Sequence, residues 1–321
     1  MGDGAAIGVD LGGTKLAAGI VHRDGVVVRE TVSPTVQASQ DELLAALEGA
    51  IADLLTDDVG AVGVGVPSTI DQTAGRAVSS VNVPLAGVDL RERLAARFER
   101  PVALENDANA AAVAEHRHGA GRGTRHMVML TLGTGIGGGL ILDGRLYRGA
   151  VGAAAELGHI TLDLDGDPCQ GTCPGLGHFE VLTSGTAAGV LAERLAAERP
   201  DGRLARAAAG RMIDAELVAE LAAAGDPDAF AVMETIGSRL GVAIADFVNI
   251  FNPEAVVIGG GFAQAGDLLL SPARRVVRER ALTPGRDIVR IVPAELGARA
   301  GLVGAALVAF EALADRAVAR A

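Results

Sequence analysis

The chain carries the same local pattern twice, at residues 5–31 and 127–147. Each copy is a short apolar run, a glycine-rich turn that contains a threonine, a second apolar run and a hairpin signal. The turns read LGGTK at 11–15 and GTGIGGG at 133–139. A repeated supersecondary unit predicts a fold with two related halves. Because glycine lets backbone N–H groups approach an anion, two such turns facing each other would grip a polyphosphate from both sides.

The rest of the chain alternates between helical spacing of apolar residues and short apolar runs. We expect helices at 40–55, 88–98, 108–116, 181–197, 226–249, 266–282 and 302–318, and strands at 59–66, 101–104, 255–258 and 288–292. This alternation is typical of an α/β fold. The expected seam between the two halves lies between Asp107 and Thr124.

The composition argues against several classes of protein. A net charge of −12 does not suit a protein that binds the phosphate backbone of nucleic acid. The start of the chain has no basic region followed by an apolar one, as a signal peptide would, and no apolar run approaches the length of a membrane span. We therefore expect a cytoplasmic protein with no nucleic-acid partner and no membrane partner.

Both cysteines of the chain lie in one segment, 156–180. His159, Cys169, Cys173 and His178 offer two imidazoles and two thiols, which are donors that tetrahedral zinc prefers. Four protein ligands would make a closed, structural site. The alternative is a surface loop with two free thiols. The scarcity of cysteine and histidine elsewhere favours the metal.

Polar side chains also follow two expected strands. Asp10 ends the first strand and could hold Mg²⁺ through water, while Thr14 adds a hydroxyl to the turn. Glu105, Asn106 and Asp107 follow the strand at 101–104 and open a helix. One of them could serve only as the helix N-cap, but three exceed what a cap needs. Ligands of α/β proteins gather at the carboxyl ends of strands.

Taken together, the motifs resemble the ROK family of bacterial sugar kinases and related repressors. The resemblance covers nearly the whole chain and rests on DLGGTK at 10–15, ENDANAA at 105–111, TLGTGIGGG at 131–139, ELGH at 156–159, the Cys/His segment and VIGGG at 257–261. It implies the two-domain actin–hexokinase (ribonuclease H-like) fold, with a cleft between the domains. We expect an N-terminal α/β domain at 1–115, joined by a C-terminal helix at about 301–321, and a larger α/β domain with the zinc segment at 116–300.

The resemblance also implies a role for each matching residue. Asp107 would be the general base that takes the proton of a sugar hydroxyl. The sugar would be bound by Asn82, Asn106, Asp107, Glu156, His159 and Glu180. ATP and Mg²⁺ would be bound by Asp10, Gly12, Gly13, Thr14, Lys15, Thr134 and Gly135, with the adenosine against Gly259, Gly260 and Gly261. The structural Zn²⁺ would orient His159, whose other ring nitrogen can reach the sugar.

This sequence departs from the family pattern in two places. Three residues separate Cys169 from Cys173 where the family has one, and His178 stands in place of the last cysteine. A Cys₂His₂ set is still a chemically sound zinc site. Ser68 stands where many relatives carry a glycine and Val81 where many carry a proline, both near the sugar, so these two departures bear on the identity of the sugar and not on the reaction class.

The expected function is ATP-dependent phosphorylation of D-glucose at the 6-hydroxyl, which would place the protein in glycolysis as a homodimer or homotetramer. Fructose, N-acetylmannosamine, N-acetylglucosamine and allose are the alternative sugars, and polyphosphate is a less expected donor. A second hypothesis is a DNA-binding repressor, against which the acidic charge and the nine residues before Asp10 argue. A third is a sugar sensor without catalysis, against which the intact Asp107 and both glycine turns argue.

Overall fold

The computed structural model describes residues 4–80, 83–171, 173–208 and 211–319. The strands are β1 (Ala5–Leu11), β2 (Lys15–His22), β3 (Val27–Pro34), β4 (Val59–Val66), β5 (Ser68–Asp71), β6 (Arg76–Ser80), β7 (Val102–Asn106), β8 (Met127–Leu132), β9 (Ile136–Leu142), β10 (Arg145–Leu146), β11 (Ala255–Gly259) and β12 (Arg290–Pro293). The helices are α1 (Gln40–Ala52), α2 (Leu90–Phe98), α3 (Asp107–His118), α4 (Phe179–Thr183), α5 (Gly185–Glu198), α6 (Arg203–Ala207), α7 (Ala215–Ala223), α8 (Pro227–Phe251), α9 (Asp267–Arg280), α10 (Gly285–Ile288) and α11 (Ala300–Ala319).

The two copies of the sequence pattern become two sheets with the same strand order. One sheet runs β3-β2-β1-β4-β7 and the other β10-β9-β8-β11-β12. In the first sheet β1 is antiparallel to β2 and parallel to β4. In the second sheet β8 is likewise parallel to β11, which is parallel to β12. The glycine turns therefore follow equivalent strands, as the duplication predicts.

The chain divides into two compact units. The first comprises Met1–Gly123, Gly139–Ala155 and Glu295–Ala321, and the second comprises Thr124–Gly138 and Glu156–Ala294. The division differs from the expected domains in that residues 116–123, 139–155 and 295–300 belong with the first unit. Gly139 lies against Ala108 and Ala112 of α3, where a Cβ would meet the Ala112 side chain at 2.5 Å. Such close packing and an ion pair described below hold the segment 139–155 to the first unit.

Helix α11 forms the packing layer behind the first sheet. The helix lies so close to the sheet that only glycine fits at two strand positions. A Cβ on Gly8 would be 1.8 Å from the carbonyl oxygen of Leu302, and a Cβ on Gly63 would be 1.8 Å from that of Ala305. The residues Gly297–Ala314 are long and apolar enough to cross a membrane, but α11 packs on β1, β4 and α3 inside the unit. Its apolar character is accounted for by this packing.

In the second unit, α8 and α9 pack closely beside the sheet. Gly241 of α8 lies against Ala273 of α9, where a Cβ would be 2.6 Å from the Ala273 carbonyl oxygen. Phe179 and Phe247 form an edge-to-face pair with ring centroids 6.2 Å apart. Phe179 begins α4, so this pair attaches the end of the Cys/His segment to the buried face of α8.

The prediction of one helix at 181–197 is wrong in detail. The segment forms two helices, α4 and α5, that meet at Ser184. Ser184 has an extended backbone with ψ of 173°, and its hydroxyl accepts the N–H of Ala187 at 3.2 Å as the N-cap of α5. A serine that can cap a new helix competes with continuation of the old one. The short hairpin β5–β6 was not expected from the sequence.

Candidate active site and metal centre

The first glycine turn, 11–15, is held in place by the segment after β3. The N–H of Gly12 donates to the carbonyl of Lys15 at 2.9 Å, which closes the turn. The Thr35 hydroxyl donates to the Gly12 carbonyl at 2.7 Å, and the Gln37 amide donates to the carbonyl of Gly13. The N–H of Thr35 also donates to the carbonyl of Thr14 at 3.0 Å. Three carbonyls of the turn, those of Gly12, Gly13 and Thr14, therefore accept hydrogen bonds from the segment 35–37.

Asp10 lies at the end of β1 beside this turn. The pKa of Asp10 is raised from 3.8 to about 6, chiefly by burial and also by the nearby carboxylate of Asp107, while Lys15 partly offsets these two effects. The first turn of α11 approaches this carboxylate closely, because a Cβ on Gly301 would lie 2.4 Å from Cγ of Asp10. The carboxylates of Asp10 and Asp107 and the ammonium group of Lys15 are near enough to interact electrostatically. Two neighbouring carboxylates suit a hydrated Mg²⁺ ion.

The predicted base, Asp107, lies at the first position of α3 directly after β7. Its Oδ1 accepts the N–H of Ala108 at 2.8 Å. The preceding Asn106 is the N-cap, and its Oδ1 accepts the N–H of Asn109 at 3.0 Å. The amide group of Asn106 donates weakly to the Ser68 carbonyl at 3.5 Å. Both the cap and the additional polar groups expected from the sequence are therefore present at this junction.

Glu105, for which the sequence predicts no individual role, is buried beneath the junction with 2% of its surface exposed. Its Oε2 accepts Nε of Arg148 at 2.7 Å, and its Oε1 accepts the N–H of Asn106 at 3.0 Å. The run of three polar residues at 105–107 was a signal for Glu105. No local pattern in the sequence marked Arg148, since it lies 43 residues away.

The second glycine turn, 133–139, is held by contacts of the same kind. The N–H of Gly133 donates to the carbonyl of Gly135 at 2.9 Å. The Thr134 carbonyl accepts the hydroxyl of Thr186 at 2.8 Å and the amide of Gln170 at 3.3 Å. Gly135 has a steric reason to be glycine, because a Cβ there would lie 2.1 Å from Oε2 of Glu180. That same oxygen accepts the N–H of Ile136 at 2.8 Å, so Glu180 connects the turn to the Cys/His segment.

The four residues expected to bind zinc lie together. All their donor atoms fall within 4.8 Å of one another. Nδ1 of His159 is 3.2 Å from Nδ1 of His178 and 3.6 Å from Sγ of Cys169. Sγ of Cys173 is 3.8 Å from Nδ1 of His159 and 3.7 Å from Nδ1 of His178.

These separations test whether zinc fits. Zinc bonds of about 2.0 Å to nitrogen and 2.3 Å to sulfur place tetrahedral ligand atoms about 3.3 to 3.8 Å apart. Four of the six donor-atom separations, at 3.2 to 3.8 Å, match that range, and all four donor atoms lie within 4.8 Å of one another. Burial raises the pKa of Cys169 to about 11, and the adjacent Cys173 thiol contributes. A divalent cation would stabilise the thiolates that these surroundings disfavour.

His159 directs its two ring nitrogens toward different groups. Nδ1 lies in the Cys/His cluster, while Nε2 is 4.0 Å from Oε2 of Glu156. The pKa of Glu156 is raised above its usual value, chiefly by burial. The nearby His159 partly offsets this increase, and the Glu180 carboxylate adds to it. The residue before Glu156, Ala155, has a φ of +67°, which is strained for a residue with a Cβ. Glu156, His159 and Glu180 thus form one polar group in the second unit.

A cavity of about 780 Å³ in the second unit begins at Gly133 and Thr134. It extends along α5 and α7 to the glycine run at 259–261, which follows β11, with Met212, Glu216 and Phe262 among its lining residues. Gly261 lines the cavity, whereas Gly259 and Gly260 do not. Gly260 instead has a φ of +86° and packs against the backbone of Leu132. The acidic and apolar residues of α5 and α7 in this lining were not recognised from the sequence.

The predicted residues fall into one set in each unit. The first unit contains Asp10, Gly12, Gly13, Thr14, Lys15, Asn106 and Asp107. The second contains Thr134, Gly135, Glu156, His159, Glu180, the Cys/His cluster and the glycines at 259–261. Asn82 lies outside the residues that the structure describes.

The chain is similar over most of its length to known sugar kinases and to a repressor. The glucokinase of Streptomyces coelicolor is 36% identical over 317 residues, which cover 96% of this chain and 98% of that protein. The crystal structure of a ROK family glucokinase from Streptomyces griseus, in complex with glucose and AMPPNP, is 34% identical with a TM-score of 0.84 and covers 96% of this chain and 100% of that one. A xylose repressor of Caldicellulosiruptor bescii is 28% identical, and the match covers 94% of this chain and 77% of the repressor.

The two-domain actin–hexokinase-like fold expected from the sequence is confirmed by the structural similarity to the Streptomyces griseus enzyme. The family model described as "ROK family" matches residues 6–312, which includes both glycine turns, the junction at Asp107 and the Cys/His cluster. This protein therefore belongs to the ROK family.

Proposed function

We propose that the protein is an ATP-dependent hexokinase that phosphorylates D-glucose at its 6-hydroxyl. The observation that carries the proposal is the position of Asp107, which begins α3 at the same sheet edge as Asp10 and the first glycine turn. The nearly full-length similarity to glucokinases supports glucose as the acceptor. The Streptomyces griseus glucokinase, solved in complex with glucose and AMPPNP, supports a nucleoside triphosphate as the donor.

Asp107 acts as the general base. As O6 of the sugar attacks the γ-phosphorus of ATP, the O6–P bond forms, the bond from that phosphorus to the bridging oxygen breaks and ADP leaves. The proton of the 6-hydroxyl passes to the carboxylate of Asp107. A carboxylate with an ordinary pKa suffices, because the proton leaves late in a loose transition state. Most of the rate enhancement then comes from positioning the two substrates and neutralising charge.

The sugar contacts in this proposal are Asn106, Asp107, Glu156, His159 and Glu180, with Asn82 a further contact. Oε2 of Glu180 already accepts the N–H of Ile136, so Oε1 is the oxygen that meets a sugar hydroxyl. That oxygen is 3.8 Å from Sγ of Cys169. When Cys169 is a metal-bound thiolate it has no proton to donate, and Oε1 can accept from the sugar instead.

His159, Cys169, Cys173 and His178 hold a structural Zn²⁺ in this proposal. The ion supplies no chemistry to the transfer. Bound there, it would hold Nδ1 of His159 and leave Nε2, which lies 4.0 Å from Oε2 of Glu156, for a sugar hydroxyl. The unusual spacing of the cysteines does not prevent the four donor atoms from meeting.

ATP and Mg²⁺ bind to the glycine turns. The residues that would contact the metal–phosphate group are Asp10, Gly12, Gly13, Thr14, Lys15, Thr134 and Gly135. Mg²⁺ would neutralise charge on the phosphate oxygens as it does in other kinases. The cavity beside Thr134 and Gly261 takes the nucleoside, and its volume of about 780 Å³ is in the range of small-molecule sites.

The same cavity bears on donor choice. Its described lining includes Glu193, Asp214, Glu216 and Glu220 and contains neither lysine nor arginine. Such a lining repels an extended polyphosphate but accepts hydrogen bonds from the hydroxyls and amino group of a nucleoside. We therefore expect ATP to be preferred over polyphosphate. A cytoplasmic homodimer or homotetramer remains the expected form of the enzyme.

A coupled ADP-release assay over a panel of sugars tests the proposal. The panel holds D-glucose, 2-deoxyglucose, fructose, allose, N-acetylglucosamine and N-acetylmannosamine, each with ATP and Mg²⁺. Glucose should give the highest kcat/KM. The 2-deoxy sugar should be clearly poorer, since a site that bonds each hydroxyl is left with unpaired groups when one is missing. A higher value for fructose or N-acetylmannosamine would change the sugar but keep the kinase. No ADP release with any sugar would refute the proposed function.

A further inference from the structure

Glu105 places a negative charge in the interior, next to Asn106 and Asp107, the residues proposed to bind the sugar and act as base. It is the penultimate residue of β7, and 2% of its surface is exposed. Aspartate and glutamate are almost never fully buried unless they are paired. Burying an ion pair is often no more stabilising than an apolar pair of the same size. Stability alone therefore does not account for a carboxylate at this position.

Each oxygen of Glu105 has a defined partner in the first unit. Oε1 accepts the backbone N–H of Asn106 at 3.0 Å and the side-chain amide of Asn109 at 3.1 Å. Oε2 accepts Nε of Arg148 at 2.7 Å. The first two bonds join the end of β7 to the first turn of α3, and Asp107 lies between the two donors in the chain.

Arg148 holds Glu105 from the opposite side. It follows β10 in the segment 147–155, and 32% of its side chain is exposed. The guanidinium therefore reaches from the surface into the interior, where charge-assisted bonds are stronger than in water. This bond determines which way the carboxylate faces, and so where its other oxygen meets Asn106 and Asn109.

The side chain of Asn109 is oriented by its hydrogen bond to Glu105. It is 2% exposed, and its side-chain oxygen has no hydrogen-bond partner among the described residues. Its NH₂ group, in contrast, donates to Glu105. The amide is thus oriented by the carboxylate even though its own oxygen is left unsatisfied, which has a free-energy cost.

We propose that Glu105 and Arg148 are a positioning pair that fixes the geometry of Asn106 and Asp107 for phosphoryl transfer. The pair acts through the β7–α3 junction and touches no substrate. The inference rests on the proposed function for the role of Asp107. Because Arg148 holds the Glu105 carboxylate in one position, Glu105 can keep Asp107 aligned with the attacking hydroxyl. A displacement of about 1 Å at such a site reduces the rate roughly 100-fold.

Three variants test the pair. Arg148→Gln leaves a buried carboxylate without its cation, so both stability and kcat should fall. Glu105→Gln leaves Arg148 to be solvated, so the melting temperature should change less while kcat falls roughly 10- to 100-fold. The double variant replaces the ions with two amides, so its melting temperature should recover while kcat stays low. KM for ATP should stay near that of the wild type in all three.

Arg93→Gln is the matched control, because Arg93 pairs with Glu48 at 2.6 Å in the same unit and away from the proposed site. It should keep wild-type kcat. Hydrogen exchange of the amides at 106–109 should become faster in Glu105→Gln and stay unchanged in Arg93→Gln.

A wild-type kcat in Glu105→Gln, or a double variant whose kcat recovers together with its melting temperature, would overturn the positioning role. Failure of the wild-type enzyme to phosphorylate any sugar would instead refute the proposed function, while the exchange measurement still shows whether the pair orders the junction.

Discussion

The buried carboxylate of Glu115 accepts the backbone N–H of Leu296 at 2.8 Å. Its other oxygen accepts the N–H groups of Ala120 at 2.9 Å and Glu295 at 3.1 Å. Glu115 is completely buried near the end of α3. One side chain therefore joins the segment that leaves α3 to the segment that precedes α11, and it does so through backbone donors that have no other described side-chain acceptor.

We expect Glu115→Gln to destabilise the protein by about 1–3 kcal/mol. An amide oxygen can replace only part of the acceptor capacity of a carboxylate, and hydrogen bonds to a charged group are the stronger ones. Chemical denaturation of the two proteins measures the difference. Glu311→Gln is the control, since Glu311 forms only an exposed pair with Arg117 and should change stability little. Equal stability of Glu115→Gln and the wild type would contradict this role.

Asp107→Asn should abolish turnover and leave the fold intact. The amide can still accept the N–H of Ala108, and the N-cap at Asn106 is unchanged, so α3 should form as before. The amide cannot take the proton of the sugar hydroxyl. The loss should therefore fall on kcat, while glucose binding measured by calorimetry is largely preserved. Activity within a few-fold of the wild type would remove Asp107 from the role of base.

Cys173→Ser should release the metal, lower the melting temperature and raise KM for the sugar more than KM for ATP. The reason is that Nδ1 of His159 loses the ion that fixes the ring, while the nucleotide cavity does not include this cluster. Metal analysis and steady-state kinetics measure both effects. Asp167→Asn, in the same segment but paired only with the exposed Arg194, should retain the metal. Wild-type protein purified without chelator and found free of zinc would refute the site.

Ala155→Gly should raise the melting temperature slightly, by roughly 1 °C or less, once the entropy cost of glycine is subtracted from the relief of strain. Ala155 has a φ of +67°, and a residue with a Cβ pays about 1 kcal/mol or more for that conformation, whereas glycine does not. Ala154→Gly is the matched control, because Ala154 is not among the residues with positive φ. The control should lower the melting temperature through the added entropy of the unfolded chain. A lower melting temperature for Ala155→Gly would show that the strain is smaller than this cost.

The sequence was informative where chemistry is local. The duplicated turns predicted a fold with two related halves, which the structure forms as two sheets with the same strand order. The donor types of His159, Cys169, Cys173 and His178 predicted a cluster that the structure brings together. Both patterns lie within short stretches of sequence. Their residue types, clustered glycines and the scarce cysteines and histidines, are seldom placed together without a structural reason.

Contacts between distant segments were not predictable in the same way. The pair Glu105–Arg148 spans 43 residues, and any of several arginines could have been the partner. The break at Ser184 depends on whether a serine caps a new helix or is tolerated within one, which packing decides. The cavity lining from α5 and α7 depends on how two helices are placed, and no motif records that placement.

Asp10→Asn should make the metal-free protein more stable at pH 8 but not at pH 4, while reducing activity. The pKa of Asp10 in the fold is about 6 against its usual 3.8, so the folded state binds the proton more tightly than the unfolded state. The resulting loss of stability is absent below about pH 4, grows as the pH rises through 6 and is constant above. With about 1.4 kcal/mol for each pKa unit, it amounts to about 3 kcal/mol.

Denaturation curves of wild type and variant, recorded with EDTA and without nucleotide at pH 4, 6 and 8, measure the difference. Comparing the two proteins at each pH cancels the titration of the other carboxylates, so what remains belongs to Asp10 and its interaction with Asp107. Activity should fall in the variant because the ionised carboxylate that costs stability is the group proposed to hold Mg²⁺. A variant that is equally stabilised at pH 4 and pH 8 would show that packing of the amide, and not removal of the buried charge, is the cause.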